Sequence, residues 1–129
     1  MTRILVVDDH QMVREGLRLL IEPESDMELV GEAPDGQSAL KMTDELHPDV
    51  VVMDIGLPVM DGIEATRKLR EAHPEVAVIG LSAHADKYFI ESMKKLGACG
   101  YIVKDKAFEL LLDAIRSCSL GDTSFPDAP

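Results

Sequence analysis

The chain alternates between short apolar runs and longer segments in which apolar residues recur every three or four positions. Five apolar runs rich in β-branched residues predict strands over residues 3–7, 28–32, 49–53, 76–81 and 99–103. Most of these runs are continuous, which is typical of parallel strands covered on both faces. Because each run is followed by a segment of helical period, we expect five strands and five helices.

Residues at the ends of the helical segments agree with this division. Asp61 followed by Glu64 predicts a capping box at the start of the third helix, and Gly97 predicts the end of the fourth. Five β-α units in succession indicate an α/β protein with a doubly wound, five-stranded parallel sheet. Right-handed crossovers favour the strand order 2-1-3-4-5.

The length of 129 residues is that of a single domain. All predicted strands and helices lie within residues 1–118. The remaining stretch, SLGDTSFPDAP at 119–129, is polar, contains two prolines and has no periodicity. We expect it to be a C-terminal tail or the start of an interdomain linker.

Charge and composition narrow the range of functions. The chain has 24 acidic and 13 basic side chains, a net charge of -11, so this chain is not expected to bind nucleic acid or membranes. No apolar run reaches the roughly 18 residues of a membrane span and the N-terminus does not resemble a secretory signal, which predicts a cytoplasmic protein. Cys99 and Cys118 lack metal-ligand spacing and are expected to be free thiols, with Cys99 buried.

Polar side chains follow four of the predicted strands. Asp8 and Asp9 follow the first strand, Asp54 ends the third, Ser82 follows the fourth and Lys104 follows the fifth. In the order 2-1-3-4-5 these strands are neighbours. The five side chains should therefore converge at the edge of the sheet where open parallel sheets bind their ligands.

The charges of this cluster indicate its chemistry. Three carboxylates and one ammonium group leave a charge of about -2, and like charges about 4 Å apart repel by roughly 4 kcal/mol at an effective dielectric of 20. A divalent cation would relieve this repulsion, and oxygen ligands favour Mg²⁺ over zinc. The histidines are not predicted ligands, because no two of them share one element at a suitable spacing. An aspartate beside a metal ion, a hydroxyl and a lysine is a candidate nucleophile towards phosphorus.

Four segments together carry a family resemblance: ILVVDDHQMVREGLRLLIE, VVVMDIGLPVMDG, VIGLSAH and GYIVKD. They resemble the receiver domain of response regulators in two-component signalling, and are most similar to receivers of the NarL/FixJ (LuxR-type) transcription factors. The resemblance covers roughly residues 3 to 118 and implies a flavodoxin-like fold. It also implies transcription regulation through a DNA-binding domain that these residues do not include.

The resemblance assigns roles to the clustered residues. Asp54 would be the phosphoacceptor, taking a phosphoryl group from a sensor histidine kinase. Asp9, Asp54 and the backbone carbonyl of Gly56 would hold Mg²⁺, with Mn²⁺ as a substitute, and Asp8 would bind the ion through water. The expected product is an aspartyl phosphate, so the chain would be a phosphoprotein of a phosphorelay.

The resemblance also describes a switch. Ser82 and Lys104 would contact the phosphoryl group, and Tyr101 would turn inward as the hydroxyl of Ser82 moves. Gly56 and His84 stand at positions that tune the lifetime of the phosphoryl group. The output surface would consist of the fourth helix, the fifth strand and the fifth helix, and a phosphorylation-dependent homodimer is expected.

Two alternatives to a self-phosphorylating switch remain open. A Mg²⁺-dependent phosphohydrolase also uses an aspartate at a strand tip, but haloacid-dehalogenase-like enzymes need a second acid where this chain has Gly56. A binding module could retain the fold without the chemistry. The chain departs from many receivers at Asp105, where they have proline, which leaves the geometry of the Lys104–Asp105 peptide open.

Overall fold

Five parallel strands form one sheet in the order β2-β1-β3-β4-β5, as predicted. The computed structural model describes residues 1–126. The strands are β1 (Thr2–Val7), β2 (Met27–Ala33), β3 (Val50–Asp54), β4 (Ala77–Ser82) and β5 (Gly100–Val103). All five residues of β3 are buried, because this central strand has a neighbour on each side and helices over both faces.

Five helices cover the two faces of the sheet. They are α1 (Gln11–Ile21), α2 (Gly36–Leu46), α3 (Gly62–Ala72), α4 (Lys87–Lys95) and α5 (Ala107–Ser119), and a 3₁₀ turn over Lys104–Lys106 leads into α5. α1 and α5 pack on one face with Val50 and Val52, whereas α2, α3 and α4 pack on the other with Val51 and Met53. This is the doubly wound architecture that the alternating elements predicted, and the flavodoxin-like fold that the family resemblance implied.

The helix ends follow the predicted signals with one exception. The side chain of Asp61 accepts a hydrogen bond from the backbone N–H of Glu64 at 2.9 Å, and Gly97 ends α4 with a φ of 84°. The carboxylate of Glu64 pairs with Arg67 instead of returning to Asp61. Only the first half of the predicted capping box is therefore formed, because the arginine one turn along the helix offers a charged partner.

The expectation of free thiols is wrong. Cys99, just before β5, and Cys118, near the end of α5, form a disulfide with their Cα atoms 5.8 Å apart. Cys118 is buried, whereas Cys99 is half-buried. The two cysteines are 19 residues apart, and they meet because α5 runs antiparallel to β5 and brings its last turn beside the start of the strand.

The chain after α5 turns back along the sheet. Within residues 120–126, Ser124 forms a parallel bridge with Gly100 on the outer edge of β5. The part of the predicted tail at 127–129 lies outside the described residues. None of the helices in residues 1–126 is long and apolar enough to cross a membrane.

Candidate functional site

The carboxyl ends of β1, β3, β4 and β5 lie side by side, as the predicted order requires. In the sheet register, Val7 pairs with Met53, Asp54 with Leu81, and Ser82 with Val103. Beyond these strand ends is an open crevice of about 460 Å³. Its lining includes His10, Asp54, Gly56, Ser82, His84 and Lys104.

Lys104 lies between two of the predicted acids. Its Nζ is 2.9 Å from Oδ2 of Asp8 and 3.3 Å from Oδ2 of Asp54. Asp8 is fully buried and Asp54 is 3% exposed. One ammonium group therefore balances part of the charge of two carboxylates that solvent barely reaches.

Burial and the neighbouring charges shift the pKa values of Asp54 and Lys104. Burial raises the pKa of Asp54, and the charge of Asp8 adds to the rise, while the N–H of Gly56 and the ammonium of Lys104 act against it. For Lys104, burial works to lower the pKa, but its contacts with Asp8 and Asp54 outweigh burial and the pKa is raised. Lys104 is therefore a firmly protonated cation beside a carboxylate with a raised pKa.

The turn after β3 fixes the position of Asp54. The backbone N–H of Gly56 donates to Oδ1 of Asp54 at 3.0 Å. Gly62 at the start of α3 lies so close to the strand end that a Cβ there would stand 2.1 Å from the backbone oxygen of Asp54 and 2.6 Å from Cα of Ile55. The glycine thus allows the helix to pack directly on the backbone of Asp54.

The acidic cluster offers ligands for a metal ion. One ligand atom each from Asp8, Asp9, His10 and Asp54 lies within 4.8 Å of the others. Oδ2 of Asp8 is buried and has no well-formed hydrogen bond within residues 1–126, where it meets Lys104 only as an ion pair. An under-satisfied carboxylate oxygen among further acids suits a hard divalent cation. The pocket therefore fits the predicted kind of metal site.

His10 is a member of the cluster that the sequence analysis left out. Its Nδ1 is 3.0 Å from Oδ1 of Asp8 and 3.2 Å from Oδ1 of Asp9. Histidine ligands are commonly recognised as a pair on one element, whereas this histidine directly follows two acids and contacts both of them. The side chain of His10 is nevertheless mostly exposed, unlike that of Asp8.

Arg14 is a second residue near the site that the sequence analysis missed. Its guanidinium donates to the backbone carbonyl of Asp8 at 2.5 Å and lies 3.6 Å from the carboxylate of Glu32. The arginine thereby ties the first turn of α1 to the ends of β1 and β2. In the sequence, the one indication of this contact is that Arg14 lies in the first turn of the predicted helix.

Ser82, His84 and Tyr101 are connected on the other side of the crevice. The hydroxyl of Ser82 accepts from the backbone N–H of His84 at 3.3 Å, and the hydroxyl of Tyr101 donates to the carbonyl of His84 at 2.8 Å. Tyr101 is 2% exposed, and burial raises its pKa.

No peptide bond in residues 1–126 is cis, so the Lys104–Asp105 bond is trans.

The fold and the site together define a small α/β domain with an acidic crevice at the carboxyl ends of its strands. A family model described as the response regulator receiver domain matches residues 4–116. The chain belongs to this family. Receiver domains generally act as phosphorylation-controlled switches in signalling, many of them in transcriptional regulators.

Individual relatives place the chain among NarL- and LuxR-type response regulators, as predicted. It is 39% identical to the transcriptional regulatory protein YdfI of Bacillus subtilis (strain 168), over 95% of this chain and 57% of the relative. A crystal structure of a LuxR-family two-component response regulator from Aurantimonas sp. SI85-9A1 is similar with a TM-score of 0.91 and 38% identity, covering 96% of this chain and 89% of that chain.

The receiver domain of the putative response regulator NarL from Mycobacterium tuberculosis is also similar. Its TM-score is 0.87 and its identity is 31%, with 93% of this chain and 97% of that chain covered. The chain spans about half the length of the curated relatives it matches. The likeness to these proteins therefore concerns their receiver part.

Proposed function

We propose that Asp54 accepts a phosphoryl group from a sensor histidine kinase in a Mg²⁺-dependent reaction. The observation that supports this most is the ammonium group of Lys104, 3.3 Å from a nearly buried Asp54 whose backbone is fixed by Gly62. A carboxylate oxygen of Asp54 would attack phosphorus, the P–N bond of the kinase phosphohistidine would break, and the released imidazole nitrogen would keep the electron pair. The product is an aspartyl phosphate.

The residues around Asp54 serve this transfer in different ways. Asp9, Asp54 and the carbonyl of Gly56 would hold Mg²⁺, with Asp8 bound through water and Mn²⁺ as a substitute. The ion would supply positive charge to the phosphoryl oxygens. Lys104 remains protonated because its acidic neighbours raise its pKa, so its charge is available to the incoming group.

Ser82 and Tyr101 are the proposed switch residues. The hydroxyl of Ser82 would turn to donate to a phosphoryl oxygen, and Tyr101 would respond through the loop that contains His84. Gly56 and His84 flank the crevice and would set how readily water reaches the phosphoryl group. Phosphorylation thus adds charge and acceptors at one point and biases a movable element nearby.

The proposed output is control of transcription in the cytoplasm. α4, β5 and α5 would present the surface that changes, phosphorylation would favour a homodimer, and a DNA-binding domain not among these 129 residues would respond. With a net charge of -11, this chain itself would not bind DNA. It would act as a switch that modifies itself and not as a turnover enzyme.

Intact mass measured after incubation with Mg²⁺ and acetyl phosphate tests the proposal. We expect one adduct with the mass of a phosphoryl group, absent in Asp54→Asn and absent with chelator. Asp61→Asn is the matched control: it lies in the same crevice, asparagine also caps helices, and the adduct should persist. An adduct that survives in Asp54→Asn, or none in the unaltered chain, would contradict the proposal, and rapid turnover would indicate a phosphohydrolase.

A further inference from the structure

The C-terminal segment, residues 122–126, lies on the outer edge of β5. After α5, Gly121 takes a positive φ of 87° and the N–H of Asp122 donates to the carbonyl of Ser117 at 2.9 Å, which reverses the chain. The N–H of Ser124 then donates to the carbonyl of Cys99 at 2.7 Å, and the N–H of Tyr101 donates to the carbonyl of Ser124 at 3.0 Å. The segment pairs with β5 as a short parallel strand would.

Gly100 makes this approach possible. A Cβ at this position would stand 2.9 Å from the carbonyl oxygen of Ser124, closer than side chains ordinarily come. The edge of β5 therefore has room for a backbone at this one point. An uncovered edge strand would otherwise offer its polar groups to any other chain.

Side chains add to the backbone pairing. Phe125 packs against the core on the side of α4, and Nζ of Lys94 lies 5.2 Å from the centre of its ring. Such a cation–π contact favours the docked arrangement. Phe125 and Ser124 also line a cavity of about 370 Å³ together with Tyr101 and Leu110, so the segment completes a groove between β5 and α5.

Tyr101 joins the docked segment to the candidate site. Its backbone N–H donates to Ser124, and its hydroxyl donates to the carbonyl of His84, whose own N–H donates to Ser82. A hydroxyl of Ser82 drawn towards a phosphoryl group would give up its bond to His84. The loop and Tyr101 would then change together, and Tyr101 carries one of the two hydrogen bonds that pair Ser124 with the edge of β5.

We propose that the β5 edge and the adjoining side chains of α4 and α5 form a docking groove for the chain's own residues 122–126, which leave it when Asp54 is phosphorylated. The release half of this inference rests on the proposed function, whereas the docking half does not. The segment would then receive the signal from Asp54 by way of Ser82, His84 and Tyr101. The two events share one free energy of coupling, so docking also opposes phosphorylation.

Amide hydrogen exchange of Tyr101, followed by NMR on the 129-residue chain, tests the docking. Phe125→Ala should speed this exchange about tenfold, because the ring contact with Lys94 and the packing of the ring are lost. Thr123→Ala, an exposed position in the same segment, is the matched control and should leave the rate unchanged. The amide of Val51 in β3 reports global opening and should not respond to either change.

Beryllofluoride with Mg²⁺, which imitates a phosphoryl group on Asp54, tests the release. It should speed exchange at Tyr101 in the unaltered chain and leave Asp54→Asn unaffected. An unchanged rate in Phe125→Ala would overturn the docking, and an unchanged or slower rate with beryllofluoride would overturn the release. If acetyl phosphate gave no adduct, the proposed function would fail on its own, while the Phe125→Ala result would still decide the docking.

Discussion

The two sides of the crevice are held in different ways. On the Asp54 side, backbone bonds fix the chain: the N–H of Ile55 donates to Leu81 at 2.8 Å, and the N–H of Gly62 donates to Ile55 at 3.0 Å. On the Ser82 side, residues 83–88 are exposed, and two bonds to His84 connect the loop to the rest. The proposed phosphoacceptor Asp54 is held by the fold, whereas the loop beside the proposed switch residues Ser82 and Tyr101 is exposed and opens more easily.

The largest expected effect on the free energy of unfolding comes from disturbing the Asp54 side of the crevice, where α3 packs on the end of β3. Gly62→Ala should lower the free energy of unfolding by about 3 kcal/mol or more, because the added methyl group overlaps backbone atoms that cannot yield. Gly121→Ala is the matched control, since it meets no atom within 4 Å and suffers only its positive φ, about 1 kcal/mol. If urea denaturation showed the same loss of free energy of unfolding for Gly62→Ala and Gly121→Ala, the packing of α3 would not depend on this contact.

A disulfide restrains the start of β5 and the end of α5, at the end of the sheet opposite the crevice. Reduction of Cys99–Cys118 should lower the free energy of unfolding by about 2–4 kcal/mol, because a loop closed over a separation of 19 residues loses its constraint on the unfolded chain. Urea denaturation with and without reductant measures this. The double variant Cys99→Ala and Cys118→Ala should not respond to reductant, and an unaltered chain equally indifferent to it would contradict the pairing.

Val59, between β3 and α3 on the Asp54 side of the crevice, has an unfavourable backbone conformation. It is fully exposed and has a φ of 65°, a conformation that a β-branched residue adopts at a cost. Val59→Asn should raise the free energy of unfolding by about 0.5–1 kcal/mol, because asparagine tolerates this conformation. Val59→Ala keeps the Cβ and should gain less. If thermal denaturation showed Val59→Ala to be more stable than Val59→Asn, backbone strain at this position would be excluded as the explanation.

The smallest expected effect concerns His73 at the end of α3. Its hydrogen bond to Asp44 raises its pKa although burial opposes the rise, and Glu75 adds to it. Because the pKa is higher in the folded chain, this contribution to stability is complete below the ordinary histidine value of about 6.5 and is lost as pH rises through the raised value. NMR titration should show the His73 pKa fall in Asp44→Asn; an unmoved titration would exclude the pair.

The strand order and the convergence of Asp8, Asp54 and Lys104 could be predicted from the sequence, because both follow from rules of chain connection and from residues at strand ends. The contacts that could not be predicted join residues that meet only when separate elements of the fold pack together. Cys99 meets Cys118 only once α5 has packed back along β5. The pairing of 122–126 with β5 likewise left no periodic signal, since a single bridge needs no pattern.

Gly62 also bears on protein engineering. A designer who moved the site to another α/β scaffold would copy Asp54, Lys104 and the remaining side chains of the crevice. The position of Asp54, however, also depends on a residue with no side chain, which lets α3 begin against the strand end. The transferable unit is therefore the whole β3–α3 junction, and a graft of side chains alone would leave the acid in a different place.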